Sequence, residues 1–216
     1  MESECMKKSG NPLEGKGKVR VIGGLYRSRV VNFVKAEGLR PTADRVRETV
    51  FNWLDSIIPN AKVLDLYAGS GVLGIEAISR GAKYVVFVDN NPAVVAQLNQ
   101  NLEFFKIENC RVLKKNSEEW LSGNEASARG NILGSRLVEG ETFDIVFVDP
   151  PYGDCSVIRS CNLLESSGLL QSKSNVYVEF DNEIDHGLMP TNWECVKSKR
   201  AGEVHFYLYH RFKLGS

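Results

Sequence analysis

Lys62-Val63-Leu64-Asp65-Leu66-Tyr67-Ala68-Gly69-Ser70-Gly71 is the stretch that decides the fold. A short, nearly all-apolar run enters a turn with two glycines, and residues 72–80 then read as a helix stopped by Gly81. Gly69 and Gly71 let the backbone turn tightly and approach a ligand closely. The free N–H groups of the next helix face the same spot. Working outward, the alternation repeats. Residues 84–88 (YVVFV) predict a buried strand. Pro92 opens a helix, where its missing N–H costs nothing, and Val95, Leu98, Leu102 and Phe105 recur at helical spacing. Residues 111–113 predict a short strand, 143–148 (FDIVFV) a central one, 157–165 a helix and 175–180 (NVYVEF) a further strand. Short apolar strands separated by helices argue for a parallel sheet covered on both faces. Residues 194–197 and 203–209 (EVHFYLY) look like a hairpin, so one edge of the sheet is expected to be antiparallel.

Ahead of this core, residues 19–31 alternate and carry Gly23-Gly24, which predicts a small β-hairpin. Residues 42–58 predict an amphipathic helix with Thr42 as N-cap and Val46, Val50, Trp53, Leu54 and Ile57 as its apolar stripe, Arg45 and Arg47 projecting elsewhere. Residues 122–140 are poor in bulky side chains and read as a surface insertion. The polar, glycine-rich stretch 1–16 reads as disordered, 17–41 as an extension and 42–216 as the main domain.

The glycine turn fits two cofactors. Eighteen residues past Gly71, Asp89 ends the second strand, where a carboxylate can accept hydrogen bonds from ribose hydroxyls. Gly69-x-Gly71-x-x-Gly74 followed by Asp89 therefore satisfies the dinucleotide fingerprint. Asp65 just before the turn would repel a pyrophosphate but attract a methionine ammonium or a sulfonium. No basic residue appears until Arg80. Asp-x-x-x-Gly-x-Gly also resembles the first motif of the Rossmann-like methyltransferases. Both readings stay open on these residues alone, with S-adenosylmethionine favoured. Tyr67 belongs to the same turn. Asn116 lies where a side chain either approaches the adenine or caps the helix that follows it.

Asp149-Pro150-Pro151-Tyr152 ends the fourth strand. An exocyclic amine on a base is a poor nucleophile because its lone pair is delocalised into the ring. Acceptors that hold its two hydrogens out of plane free that pair, a preorganised electrostatic stabilisation. Asp149 can be one acceptor and the Pro150 carbonyl the other. The prolines fix an extended loop, and Tyr152 offers a stacking face worth roughly 1–3 kcal/mol. A base inside a structured nucleic acid must first be turned out of its stack.

Net charge is zero, but residues 16–47 hold nine basic side chains against two acidic ones, and residues 195–213 hold five against one. That asymmetry points to a polyanionic partner. Five scattered cysteines without a Cys-x-x-Cys pair, and three histidines, leave no expected metal site or disulfide framework. No run is long enough to span a membrane, and a reducing cytoplasm is the expected location.

Four segments together resemble the RsmD family of guanine-N2 methyltransferases of 16S ribosomal RNA. They are residues 20–27 (RVIGGLYR), 38–54 (GLRPTADRVRETVFNWL), 64–71 (LDLYAGSG) and 147–152 (FVDPPY), and the likeness runs over about residues 19–212. The second segment is the most specific. The resemblance implies a Rossmann-like class I fold: a mostly parallel seven-stranded sheet with an antiparallel edge and an N-terminal hairpin extension that grips RNA. It implies S-adenosylmethionine as cofactor, held by Asp65, Gly69, Gly71 and Asp89, with Tyr67 and Asn116 as further cofactor candidates from their positions. Asp149, Pro150 and Tyr152 would hold the guanine. Its partner would be 16S ribosomal RNA in the small subunit or an assembly intermediate, met by a monomer. Arg27, Arg29, Arg40, Arg45 and Arg47 are RNA-contact candidates from their charge, and Asp44 offers an internal partner for one of them. Three departures stand out: Ser28 where the family often has glycine, Phe87 where an acid often stands, and the length of the 122–140 insertion. An adenine-N6 methyltransferase, an RNA-binding protein without catalysis and a nicotinamide oxidoreductase are the rival readings.

Overall fold

The structure is a computed structural model that describes residues 15–35, 42–123, 142–151 and 153–212, of which 153–155 by backbone only. Arg40, Tyr152, Cys5, most of the 122–140 insertion and the first fourteen residues lie outside the described residues.

Two strands open the chain, β1 (Lys16–Arg20) and β2 (Val30–Val34), paired antiparallel from Lys16↔Val34 to Arg20↔Val30. Lys16, expected in a disordered tail, is thus already in a ladder. Helix α1 (Asp44–Leu54) follows. The core then alternates as β3 (Lys62–Asp65), α2 (Val72–Ser79), β4 (Tyr84–Asp89), α3 (Pro92–Phe105), β5 (Cys110–Lys114), α4 (Ser117–Leu121), β6 (Phe143–Val148), α5 (Gly153–Ser166) and β7 (Leu170–Phe180). It closes with the hairpin β8 (Trp193–Ala201) and β9 (Val204–Phe212).

The main sheet has the order β5-β4-β3-β6-β7-β9-β8. Strands β5 through β7 run parallel, while β9 pairs antiparallel with both β7 and β8. The chain winds outward from β3 to β5 and then returns to lay β6 on the other side of β3. That reversal is the switch point, where ligands enter between the carboxyl ends of neighbouring strands.

Both faces of the sheet are covered, and strand alternation sorts the core. Val63, Phe87, Ile145, Phe147 and Tyr177 pack toward α1, α2 and α3. Leu64, Val86, Val146, Val148, Val176 and Val178 pack with Leu121 of α4 and with Val157, Cys161 and Leu164 of α5.

Helix α1 differs from its expected form. Thr42 does not cap it; Ala43 occupies the N-cap with no side-chain bond. The Thr42 hydroxyl instead donates to Glu179 Oε1, 3.0 Å away, at the end of β7. The helix ends at Leu54, and its buried stripe is Val46, Arg47, Val50, Phe51 and Leu54. Trp53 is only partly buried against that core, with its ring 5.4 Å from that of Phe206.

The β1–β2 connection docks on the far end of α2. Leu25 N donates to Ser79 O at 2.7 Å and Tyr26 N to Ser79 Oγ at 2.8 Å. Ser28 sits there at φ 67°, a left-handed conformation. Such a backbone costs an L-residue roughly 1–2 kcal/mol, a cost that glycine would not carry.

Candidate active site

Residues 66–71 hold the glycine turn at the switch point. Gly71 adopts φ 73° as N-cap of α2, and a β carbon there would come within 2.4 Å of Leu98 Cδ1. Two carboxylates pin the turn. Asp65 Oδ2 accepts from Gly74 N at 3.0 Å. Asp89 accepts from Gly69 N and from Asn91 N, each at 2.9 Å.

These bonds separate the two cofactor readings. A dinucleotide needs the first N–H groups of the helix for its pyrophosphate. Here one of them already faces Asp65, so the turn presents acid groups where a pyrophosphate would need free N–H donors. That polarity suits a sulfonium, an ammonium and a ribose diol. Gly74, third in the fingerprint, answers to packing, since a β carbon there would lie 2.1 Å from Phe87 Cε1. The aromatic ring at position 87 and the glycine at 74 are one feature.

Two residues of the candidate cofactor set have other partners. The Tyr67 hydroxyl is within 2.5 Å of Ser160 Oγ on α5. Asn116 Oδ1 accepts from Glu119 N at 3.1 Å and caps α4, which realises the second of its two readings.

Asp149 follows β6 directly, next to the switch point, with Pro150 buried behind it. Burial pushes its carboxyl well above the usual range, and the charges of Glu179, Asp65 and Asp181 push the same way. Burial likewise raises Asp65 to about 7, against the pull of the Gly74 N–H and with help from the Asp89 charge. Asp89 is raised by burial, with the Asn91 and Gly69 N–H groups opposing.

Glu179 is the residue that sequence reading missed. It is the last residue but one of β7, one step past the Val148↔Val178 pair, and is therefore Asp149's neighbour on the adjacent strand. Its Oε1 accepts from the Thr42 hydroxyl at 3.0 Å and the Tyr177 hydroxyl at 2.7 Å. Burial raises its pKa, while those two hydroxyls lower it. The rule that singles out Asp65 and Asp149, an acid at the carboxyl end of an apolar strand, applies equally to the final positions of NVYVEF.

None of the ion pairs among the described residues reaches Asp65, Asp149 or Glu179. Nor does any group of three or more His, Cys, Asp or Glu among them form a metal-ligating set.

The arginines divide. Arg45 is exposed in the first turn of α1, near Thr42. Arg27 is exposed on the β1–β2 connection. Arg29, on the same connection, lies with its guanidinium 4.3 Å above the Phe105 ring and 5.3 Å from that of Phe104. Phe105 ends α3, which starts at the cofactor turn and runs about 20 Å away from it. Arg27 and Arg29 thus sit at the opposite end of the sheet from Asp149. Arg47 corrects the RNA-contact set, because it is fully buried. Its Nη2 donates to Asp44 Oδ1 at 2.6 Å, its Nε to Thr42 O at 3.2 Å, and its Nη1 lies 3.7 Å from Glu76 Oε2. Glu76, also buried, accepts from Ile22 N at 2.8 Å and Arg80 Nε at 2.9 Å. This network ties the hairpin, α1 and α2 together.

Comparison with known proteins agrees with this architecture. Residues 19–210 match the family model described as Conserved hypothetical protein 95. The chain is 40% identical over 199 residues to the Ribosomal RNA small subunit methyltransferase D of Escherichia coli K12, covering 91% of this chain and 92% of that one. The protein of the same name from Haemophilus influenzae is 39% identical over 207 residues, covering 94% and 99%. Among solved structures, the putative methyltransferase yhhF from Escherichia coli superposes with a TM-score of 0.77 at 39% identity, covering 92% of this chain and all of that one. Sequence, fold and strand-end carboxylates converge on one assignment: the chain belongs to the RsmD family and has the Rossmann-like class I methyltransferase fold.

Proposed function

We propose that this protein transfers a methyl group from S-adenosylmethionine to the exocyclic N2 of a guanine in 16S ribosomal RNA, acting as a monomer on the small subunit or an assembly intermediate of it in the cytoplasm. One observation carries the reading. Asp149 and Pro150 directly follow β6, across the switch point from the Asp65–Gly71 turn, so an amine acceptor pair adjoins a crevice lined by acids. The names of the relatives support the ribosomal substrate.

The cofactor supplies an electrophilic methyl on a sulfonium. Asp65 and the turn give the electrostatic environment that favours positive charge, and Asp89, anchored on two N–H groups, presents its remaining lone pairs to a ribose. The guanine amino group places one hydrogen on the Asp149 carboxylate and the other on the Pro150 carbonyl. Held out of the ring plane, the nitrogen regains a directed lone pair. Asp149 must be ionised to accept well, yet it need not be a strong base, because N2 becomes acidic once methylated and its proton then leaves to the carboxylate or to water. Tyr152 would stack on the base. Arg45, exposed in the first turn of α1, would meet phosphate, and Arg40 is a further RNA-contact candidate from its charge. Arg27 and Arg29, on the hairpin extension, would meet RNA that flanks the target about 20 Å away.

The test uses methyl-labelled S-adenosylmethionine and unmodified small subunits, with the labelled nucleoside identified by mass spectrometry after digestion. N2-methylguanosine is expected. N6-methyladenosine would replace the substrate while keeping the mechanism, and an unlabelled RNA would overturn the proposal.

A further inference from the structure

We infer that Glu179 reads the N1–H of the target guanine and so determines which base this site accepts; the inference rests on the guanine reading above. The register of β6 and β7 places Glu179 next to Asp149 at the pocket end of the sheet. Adjacent strands lie about 4.8 Å apart. Strand alternation gives both side chains the face shared by Phe147 and Tyr177, the face on which Thr42 also lies. The two carboxylates therefore stand side by side on one wall.

Glu179 is held rather than free. Each hydroxyl of Thr42 and Tyr177 has a single hydrogen, and both hydrogens are directed at Oε1. Neither touches Oε2. A carboxylate oriented by two hydroxyls on one oxygen is preorganised to accept through the other. Its neighbour is a second acid, and no ion pair among the described residues neutralises either. Such a wall is complementary to a row of donors.

Guanine offers that row. Its Watson–Crick edge carries N1–H beside the two hydrogens of N2, three donors in sequence. Adenine offers two hydrogens at N6 beside the lone pair of N1. With Asp149 on the amino group, Glu179 faces the ring nitrogen, where it meets a donor in guanine and a lone pair in adenine. A site built to bond a polar hydrogen rejects an analogue lacking it strongly, because the buried acceptor is left unpaired. The catalytic tetrapeptide handles either amine; the residue one strand away makes the choice.

The discriminating probe is 2-aminopurine, which keeps the N2 amine but has a lone pair at N1. It is ligated into the small-subunit RNA at the mapped target, and the RNA is assembled with subunit proteins. Single-turnover kcat/KM is then compared for guanine and 2-aminopurine, with wild type and with Glu179→Gln. The amide keeps an acceptor for Thr42 and Tyr177 and offers a donor toward N1. Wild type is expected to prefer guanine by about 10²-fold or more, and Glu179→Gln to bring the two substrates within about tenfold or to invert them. The missing O6 of 2-aminopurine affects both proteins alike, so the change in ratio isolates N1. Thr42→Val, with one holding bond gone, should lose part of the preference without reversing it. If Glu179→Gln slows both substrates by the same factor, Glu179 only braces the fold and the inference is overturned. If wild type leaves guanine unmethylated, the guanine reading fails and takes the inference with it.

Discussion

Two groups of buried charge flank α1, and they differ in one respect. Below it, Arg47 and Arg80 meet Glu76, with Asp44 on the outer side of Arg47 and Asp55 near Arg80. Each arginine has a carboxylate beside it, and the Ile22 N–H takes a further lone pair of Glu76. Above it, Asp65, Asp149 and Glu179 gather three acids; Asp65 meets an N–H and Glu179 two hydroxyls, and no ion pair among the described residues reaches any of the three. A cluster of opposite signs holds the fold together. A cluster of one sign stores repulsion that a ligand with donors or positive charge relieves. Perturbed carboxylates in a crevice mark function for that reason, and the buried arginines do not.

The comparison can be broken most severely at Glu76. Glu76→Gln removes the buried carboxylate shared by Arg47 and Arg80 and leaves buried Arg47 with only the half-exposed Asp44 as counter-charge, and breaking such a buried pair typically costs about 3–5 kcal/mol. Chemical denaturation should show a loss of that order, and an unchanged midpoint would remove the structural role of the network.

Asp65 tests the opposite cluster. Its folded pKa is raised to about 7 from an ordinary 3.8. Between these values the folded protein retains a proton that the unfolded chain has released, so the wild type loses stability as pH rises through that window. Asp65→Asn lacks the effect. The variant should gain on wild type from pH 4 to pH 7 by a few kcal/mol, on the order of 3. Parallel stability curves would show that Asp65 is not strained by burial.

Arg45 sharpens the contrast among the arginines. With Arg47 buried, only Arg45 of the pair can release a counterion. Arg45→Glu should weaken RNA binding and reduce the salt slope by about one, while Arg47→Met should leave the slope of the folded protein unchanged. The smallest effect belongs to Ser28. Ser28→Gly relieves the left-handed backbone and should stabilise by up to about 1 kcal/mol, net of glycine's unfolded-state entropy. A destabilised variant would mean that the Ser28 side chain contributes more than its backbone costs.

Most of this was readable from residue order. Strand-length apolar runs at regular intervals predict the sheet, and Asp65 and Asp149 are found because each follows such a run directly. The glycine turn predicts the switch point. What escaped is non-local. Thr42 has the chemistry of a cap, but its partner Glu179 stands 137 residues away and wins the hydroxyl. Arg47 lies in a basic stretch and looks like a phosphate contact until Glu76 arrives from another helix. Phe51 rather than Trp53 fills the α1 stripe because α1 meets the sheet at Phe147, whose ring lies 5.9 Å from that of Phe51. Periodicity fixes which residues share a face; only the packed partner decides which of them is deepest.

The central claim is that Asp149 acts on the substrate and not on the fold or the cofactor. Asp149→Ala separates these when cofactor affinity and single-turnover methyl transfer are measured on the same preparation. The account predicts an affinity for S-adenosylmethionine within a few-fold of wild type and a turnover lower by about 10²-fold or more, the usual cost of removing one preorganised transition-state contact. Wild-type turnover in that variant, or loss of cofactor binding at the same rate as loss of activity, would contradict it.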